Sequence, residues 1–328
     1  MIRFLPAFVS FAIFLPLFSR GKDVYLSTAQ EPFEAETPWL TGPLLTPSSR
    51  TTPKGHVNIQ PYLLFTAAYG VYTNKWKIDT STRSYSTNFE TYINYGLTNW
   101  ADLVVAGQYQ KNIVHGKSFT GLGDSLFGFG FQLYEGMPDC SLPSMKFSIV
   151  ESFPTGTYQD LDPTLFGTDG LGSGSFTTRF ALTLGKLIHI KEEMWIQTRS
   201  SFGYWYFTPV NVRNNNVYGG SENTNGIVYK GGGFPISIGS ELTLTKNFVI
   251  ACDLVSQFYG KTTFKGNPGN NTSISDLESP LSYQLSIAPA LEWNFSTQFG
   301  IIAGAWCSLC GKNSQAFASG VISINIYM

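Results

Sequence analysis

The chain has 328 residues, of which 43% are hydrophobic and 15% aromatic, while only 13% are charged and the formal net charge is -1. The charged share is about half that of an ordinary soluble domain, so little charge is available to cover a water-facing surface. The balanced charge gives no reason to expect nucleic acid as a partner. Beyond the N-terminus no apolar run reaches the roughly 18 residues of a spanning helix, which leaves the closed barrel as the architecture that could place this composition in lipid.

Residues 1–21 resemble a secretory signal peptide. Arg3 supplies a positive charge, an apolar run extends from residue 4 to residue 18, and Ser19 and Gly21 are small residues suited to a cleavage site. The alternative is a retained membrane anchor, although this run is shorter than a spanning helix requires. Cleavage here would export a mature chain that begins at residue 22.

Residues 22–56 are rich in Pro, Thr and Ser and lack periodicity, which predicts an irregular segment. Its apolar side chains include Trp39, Leu40, Leu44 and Leu45. Because the segment precedes the first predicted strand, these side chains could dock on the inner wall of a barrel and plug it. The alternative is a disordered tail.

From residue 57 onward, apolar and polar side chains alternate with a period of two, which is typical of strands with two unlike faces. In the clearest run, residues 85–97, Tyr85, Phe89 and Ile93 fall on one face, and the opposite face carries Ser, Asn, Glu, Tyr and Gly. One face suits lipid and the other suits water. Such runs predict about twelve strands, at residues 57–71, 84–97, 102–114, 124–134, 144–153, 174–187, 193–207, 233–245, 247–259, 280–294, 297–309 and 314–328.

The connections between these strands are of two kinds. Several are short and alternate with long ones rich in Gly, Asn and Asp, near residues 154–173, 208–232 and 260–279. Short periplasmic turns and long extracellular loops are typical of outer-membrane barrels, and an even strand number places both chain ends in the periplasm.

A soluble β-sandwich or jelly roll is the alternative fold, but its outward faces would carry Lys, Glu and Arg. Here one face is apolar and the other is mostly Ser, Gln, Asn, Gly and Thr. We therefore predict an all-β chain whose residues 57–328 form a transmembrane antiparallel up-and-down β-barrel of about twelve strands. It would lie in the bacterial outer membrane, in contact with membrane lipid.

Seven charged residues are predicted to face the lumen of this barrel: Glu90, Lys146, Arg179, Arg199, Glu241, Asp253 and Glu292. Their mixed signs do not indicate an ion filter of one sign. The alternative interpretation is that they only solvate the interior.

No catalytic, cofactor or metal site is predicted. His115 and Ser118 could form the Ser/His pair of an outer-membrane lipid hydrolase, but no neighbouring Asn is present to orient the imidazole. Cys307 and Cys310 form a single CxxC without a second pair, so a zinc site is disfavoured and a disulfide is left open. The glycines of TGLGD (Thr120 to Asp124) precede a strand and therefore indicate a tight turn rather than a phosphate loop.

Three stretches resemble the outer-membrane barrels named for the MetA pathway of phenol degradation: TGLGDSLFGFGFQLY (Thr120 to Tyr134), FPTG (Phe153 to Gly156) and IAPALEWNFS (Ile287 to Ser296). The resemblance implies a transporter of small hydrophobic molecules without a cofactor. It also implies recognition by the outer-membrane assembly machinery, which reads a terminal aromatic residue; here Tyr327 is penultimate. The second functional hypothesis is a non-transporting barrel whose loops bind a partner.

Overall fold

A computed structural model describes residues 38, 40–80, 83–136, 141–191 and 193–328. The predicted signal peptide and Trp39 lie outside the described residues. The described strands are β1 (Val57–Tyr72), β2 (Ile78–Asp79), β3 (Ser84–Thr98), β4 (Ala101–Val114), β5 (Lys117–Leu122), β6 (Ser125–Tyr134), β7 (Ser144–Phe153), β8 (Thr177–Lys191), β9 (Met194–Phe207), β10 (Val210–Arg213), β11 (Asn225–Tyr229), β12 (Gly233–Thr243), β13 (Phe248–Tyr259), β14 (Thr263–Asn267), β15 (Ser282–Asn294), β16 (Phe299–Lys312) and β17 (Ser314–Tyr327).

Twelve of these strands form one closed antiparallel barrel. The order around the wall is β1, β3, β4, β6, β7, β8, β9, β12, β13, β15, β16 and β17, and β17 pairs with β1 to close the ring. The closing register runs from Asn58 opposite Tyr327 to Tyr72 opposite Ser314. The predicted fold class is confirmed, and the predicted strands correspond one to one with the wall strands.

Helical structure is confined, within the described ranges, to the short 3-10 turns Pro163–Leu165 and Ile274–Asp276. Neither is long or apolar enough to cross a membrane.

The two ends of the barrel differ. Connections at one end include two residues between β3 and β4 and four residues each between β12 and β13 and between β15 and β16. We name this the short-turn end. The opposite, long-loop end carries residues 154–176, 208–232 and 260–281. One connection there departs from the pattern, because β16 and β17 are joined through Asn313 alone, in the left-handed conformation with φ 50°.

Two of the predicted long loops are not irregular throughout, which corrects the sequence interpretation. Residues 208–232 contain β10 and β11, residues 260–281 contain β14, and these strands pair as a separate three-stranded sheet in the order β10-β11-β14. We name it the outer sheet. It has its own apolar core, formed by Val210, Val212, Val228, Phe264 and Leu277.

The outward face of the wall is apolar. Large hydrophobic side chains remain exposed along it, among them Phe89, Ile93, Phe129, Leu254 and Ile322. Aromatic pairs lie towards both ends of the wall: at the short-turn end Trp100 with Phe131 and Phe248 with Trp293, and at the long-loop end Tyr204 with Phe234 and Phe258 with Tyr283. An apolar band flanked by two aromatic girdles is the exterior of a barrel that spans a bilayer.

Phe129 lies near the middle of β6 and is 37% exposed on the outward face. We expect Phe129→Arg to lower the free energy of unfolding by about 2–4 kcal/mol, because the guanidinium would lie in hydrocarbon. The matched variant Ser86→Arg places the same charge on the inward face, beside a cavity, and should cost much less. Urea unfolding from lipid vesicles would measure both, and equal losses would show that the faces are assigned wrongly.

Candidate functional site: the barrel lumen

Residues 40–52, here named the inner segment, enter the lumen from the short-turn end. Wall carboxylates accept hydrogen bonds from its backbone. The Thr41 N–H donates to Glu292, and the Gly42 N–H donates to Glu241 at 3.0 Å. Backbone amides of a non-helical, non-strand segment need acceptors of this kind when they are buried.

Asp253 holds the next turn of the inner segment. Its two carboxylate oxygens accept the N–H of Leu45 at 3.2 Å and of Thr46 at 3.0 Å. Asp253 is fully buried. A typical intramolecular hydrogen bond contributes about 0.5–1.5 kcal/mol net, so the two bonds to Asp253 together hold this turn of the segment.

An apolar contact lies between these polar anchors. Leu44 is 3% exposed and packs among Ala251, Ala288, Ile302 and other small or branched wall residues. Gly304 makes room for it, since a Cβ there would lie 2.8 Å from Leu44 Cδ1. Leu45 packs partly against the same cluster. The wall is therefore shaped to receive this stretch of chain.

The end of the inner segment is held on the opposite side of the lumen. The Thr52 N–H donates to Asp102 at 2.9 Å, and the Thr51 N–H donates to the side-chain amide oxygen Oε1 of Gln132 at 2.8 Å. Lys146 forms an ion pair with the same Asp102, at 2.7 Å. The segment thus spans the lumen from β15 to β4.

The seven charged residues proposed from sequence lie on the inward face, in three kinds of contact. Asp253, Glu241 and Glu292 hold the inner segment, and Arg199 lies 3.3 Å from Glu241. Lys146 pairs with Asp102. Glu90 and Arg179 lie nearer the long-loop end. Glu90 accepts a hydrogen bond from the Tyr92 hydroxyl at 2.8 Å, and the Arg179 guanidinium stacks on the Trp205 ring, 4.8 Å from its centre.

The alternation places Gln132 on the polar face of its strand, but sequence reasoning predicted no role for it. Sequence reasoning missed Asp102 and the role of Asp124. Asp102 shares the inward parity of β4, so the alternation could also have placed it in the lumen. Asp124 gave no such signal, because it falls in the connection between β5 and β6.

Asp124 joins two of the three stretches on which the resemblance rests. Its carboxylate accepts the Gly156 N–H at 3.0 Å and the Ser173 N–H at 2.8 Å. The Thr155 hydroxyl donates to the Gly123 carbonyl at 2.8 Å. The TGLGD and PTG turns therefore form one clasp at the base of the connection 154–176.

The connection 154–176 folds inward from the long-loop end. Gln110, on the inward face of β4, donates to the Leu171 carbonyl at 2.7 Å, and Asn112 donates to the Thr168 carbonyl at 3.1 Å. The outer sheet is tied to this connection through Tyr218, whose hydroxyl donates to the Ser173 carbonyl at 2.5 Å. Together they cover part of the lumen at its long-loop end.

Two cavities remain inside the barrel, on the long-loop side of the inner segment. The first, of about 430 Å³, is bounded by Glu90, Arg179, Trp205 and Lys230 among others. The second, of about 440 Å³, is bounded by polar side chains together with Leu64, Tyr259, Trp306 and Phe317. Both lie within the usual size range of small-molecule sites.

The residues weighed for chemistry are not assembled into a reactive centre. His115 lies in an exposed turn with φ 49°, and its ring contacts that of Phe166 at 5.6 Å. No hydrogen bond joins it to Ser118 in the described part of the chain. Cys252, Cys307 and Cys310 are free thiols, and no group of three or more His, Cys, Asp or Glu among the described residues is placed to hold a metal ion.

Three of the solved structures that this chain matches are outer-membrane proteins. An outer membrane channel from Pseudomonas putida F1 matches with a TM-score of 0.65 at 11% identity, over 87% of this chain and 100% of that chain. The β domain of the Bordetella autotransporter BrkA matches with a TM-score of 0.43 at 8% identity, over 83% of this chain and 99% of that chain. The NanC porin matches with a TM-score of 0.39 at 7% identity, over 80% of this chain and 98% of that chain. No family model and no curated protein matches in sequence.

The TM-score of 0.65 with the Pseudomonas putida channel shows a shared fold. The predicted closed β-barrel is thereby confirmed as a fold shared with that outer membrane channel. The narrower resemblance to barrels of the MetA pathway stays a prediction.

Removing Asp253 should loosen the inner segment. In Asp253→Ala, the N–H groups of Leu45 and Thr46 lose their acceptor, and an unsatisfied buried group costs about 1–3 kcal/mol. We expect faster trypsin cleavage after Arg50 in the folded barrel. Glu90→Ala removes a lumen carboxylate that does not touch the segment, so its cleavage rate should equal that of the parent protein. If both variants are cut at the parent rate, Asp253 does not hold the segment.

Proposed function

We propose that this chain is an outer-membrane channel for small, largely apolar organic molecules, closed in the described state by the inner segment. The observation that carries the proposal is the pair of cavities in the lumen on the long-loop side of the inner segment. A barrel serving only as an anchor gains nothing from two interior spaces of this size.

The lining of the cavities supports an organic solute. Aromatic rings of Trp205, Phe207, Tyr259 and Trp306 border them. Amide and hydroxyl groups occur between these rings. Rings supply apolar contact area, and a few polar groups orient a solute.

Passage requires the inner segment to leave. Its anchors are hydrogen bonds and one buried leucine, and within the described residues its covalent connection to the wall is the short stretch of chain from Thr52 to β1. In the periplasmic orientation that the even strand number and the short turns imply, the segment would close the inner mouth, and its release would open a path from the cavities to the periplasm.

A second candidate function is a barrel whose outer sheet binds a partner. The independent apolar core of that sheet favours this candidate. Solute passage discriminates between the two, because binding to the outer sheet does not require an open lumen.

Leu44→Asp should open the channel. The carboxylate would face an Ala- and Ile-lined pocket with no cation in it, so the inner segment should be expelled. Conductance in planar bilayers should rise several-fold above that of the parent protein. The control is Ser48→Asp, which adds the same charge at an exposed position of the same segment and should leave conductance unchanged. Unchanged currents in Leu44→Asp, and in a variant lacking residues 22–50, together with no uptake of apolar solutes, would favour the partner-binding candidate.

A further inference from the structure

Two cations border the first cavity without an ionic partner. The Arg179 guanidinium lies 4.8 Å from the centre of the Trp205 ring, and the Lys230 ammonium lies 4.2 Å from the centre of the Phe207 ring. Neither makes a hydrogen bond or an ion pair within 4.0 Å to any described residue, and Arg179 Nε is buried without an acceptor. Buried donors without acceptors carry a free-energy cost, which an acceptor-rich occupant of the cavity would remove.

The carboxylates of the same cavity are engaged elsewhere. Asp124 accepts the two N–H groups of the clasp, and Glu90 accepts the Tyr92 hydroxyl. They reduce the net charge of the cavity without satisfying the donors of Arg179 and Lys230. An occupant that brings its own acceptors gains the hydrogen bonds, while Asp124 and Glu90 limit the strength of its binding. Moderate binding suits a channel, in which a solute must also leave.

The rings around the cations define the rest of the occupant. Tyr259 lies 5.9 Å from Trp205 and 6.4 Å from Phe207, measured between ring centroids. These three rings form one aromatic side of the cavity, with the cations beside it. A flat apolar group fits against such a side, and a carboxylate on that group would reach the cations. Arg in particular can bind a carboxylate through two parallel hydrogen bonds.

We propose that the first cavity is a binding subsite for small aromatic carboxylates, in which Arg179 and Lys230 hold the carboxylate and Trp205, Phe207 and Tyr259 contact the ring. This rests on the proposed channel function and deepens it, because it names the solute class that pauses in the lumen.

Benzoate is the direct probe, with full-length protein in detergent and isothermal titration calorimetry as the measurement. We expect one benzoate per barrel, with acetate and benzyl alcohol binding at least about tenfold more weakly. Arg179→Gln and Lys230→Gln should each weaken benzoate binding about tenfold or more, as the loss of a charge-assisted hydrogen bond implies. Lys265→Gln is the matched control, since Lys265 also lies over a ring, that of Tyr229, but on the outer sheet away from the cavity.

The pH dependence gives a second readout. Burial lowers the pKa of the Lys230 ammonium to about 8, with Arg179 acting in the same direction and Asp124 opposing it. Glu90 and Tyr259 also border this space. Benzoate binding should therefore weaken as the pH rises through about 8, and Lys230→Arg should retain binding at pH 9. Heat-modifiable gel mobility would confirm that each variant is folded.

The conductance and binding measurements distinguish a wrong subsite from a wrong channel function. If Leu44→Asp conducts but benzoate does not bind, or binds equally to the folded Arg179→Gln and Lys230→Gln variants, the subsite is wrong and the channel stands. If benzoate binds as expected but no variant conducts or passes solute, the subsite stands and the channel is wrong.

Discussion

Pairing of β17 with β1 is the constraint on which the rest of the structure depends. A backbone in hydrocarbon cannot leave hydrogen-bonding groups unpaired, and this pairing gives every wall strand a neighbour on both sides. Closure also fixes which face of each strand looks outward. The outward-facing residues of each strand must then be mainly apolar, whereas the inward-facing residues can be Glu, Asp, Arg and Gln.

A closed barrel of twelve strands creates a second requirement, which is to fill its interior. The wall side chains can fill the interior of an eight-stranded barrel, but that of a twelve-stranded barrel is wider. The inner segment occupies the half nearest the short turns. An irregular segment brings unpaired amides into that interior, and Glu292, Glu241, Asp253 and Asp102 accept them. The lumen carboxylates are thus part of the packing of the chain as well as part of a water-facing surface.

The alternation of side chains was enough to predict the wall, because a strand between lipid and a polar lumen repeats the same contrast at every second residue. The outer sheet was not predictable in this way. Its strands are four or five residues long, and the alternation in Val210 to Arg213 is too short to distinguish from a loop. The partners of the inner segment were also beyond local patterns: Gly42 and Glu241 are separated by 199 residues, and only the closed ring brings them together.

The acceptors of the inner segment come from β4, β6, β12, β13 and β15, which are adjacent to this segment in space but distant along the sequence. The pocket around Leu44 also includes Ile302 of β16 and Val321 of β17, so an intermediate that lacks the final hairpin lacks part of this contact. We therefore expect the inner segment, which precedes β1 in the chain, to dock only after the final hairpin has joined β1. The wall carboxylates would then stay hydrated during insertion, and assembly of the wall and closure of the lumen would be separate events in time.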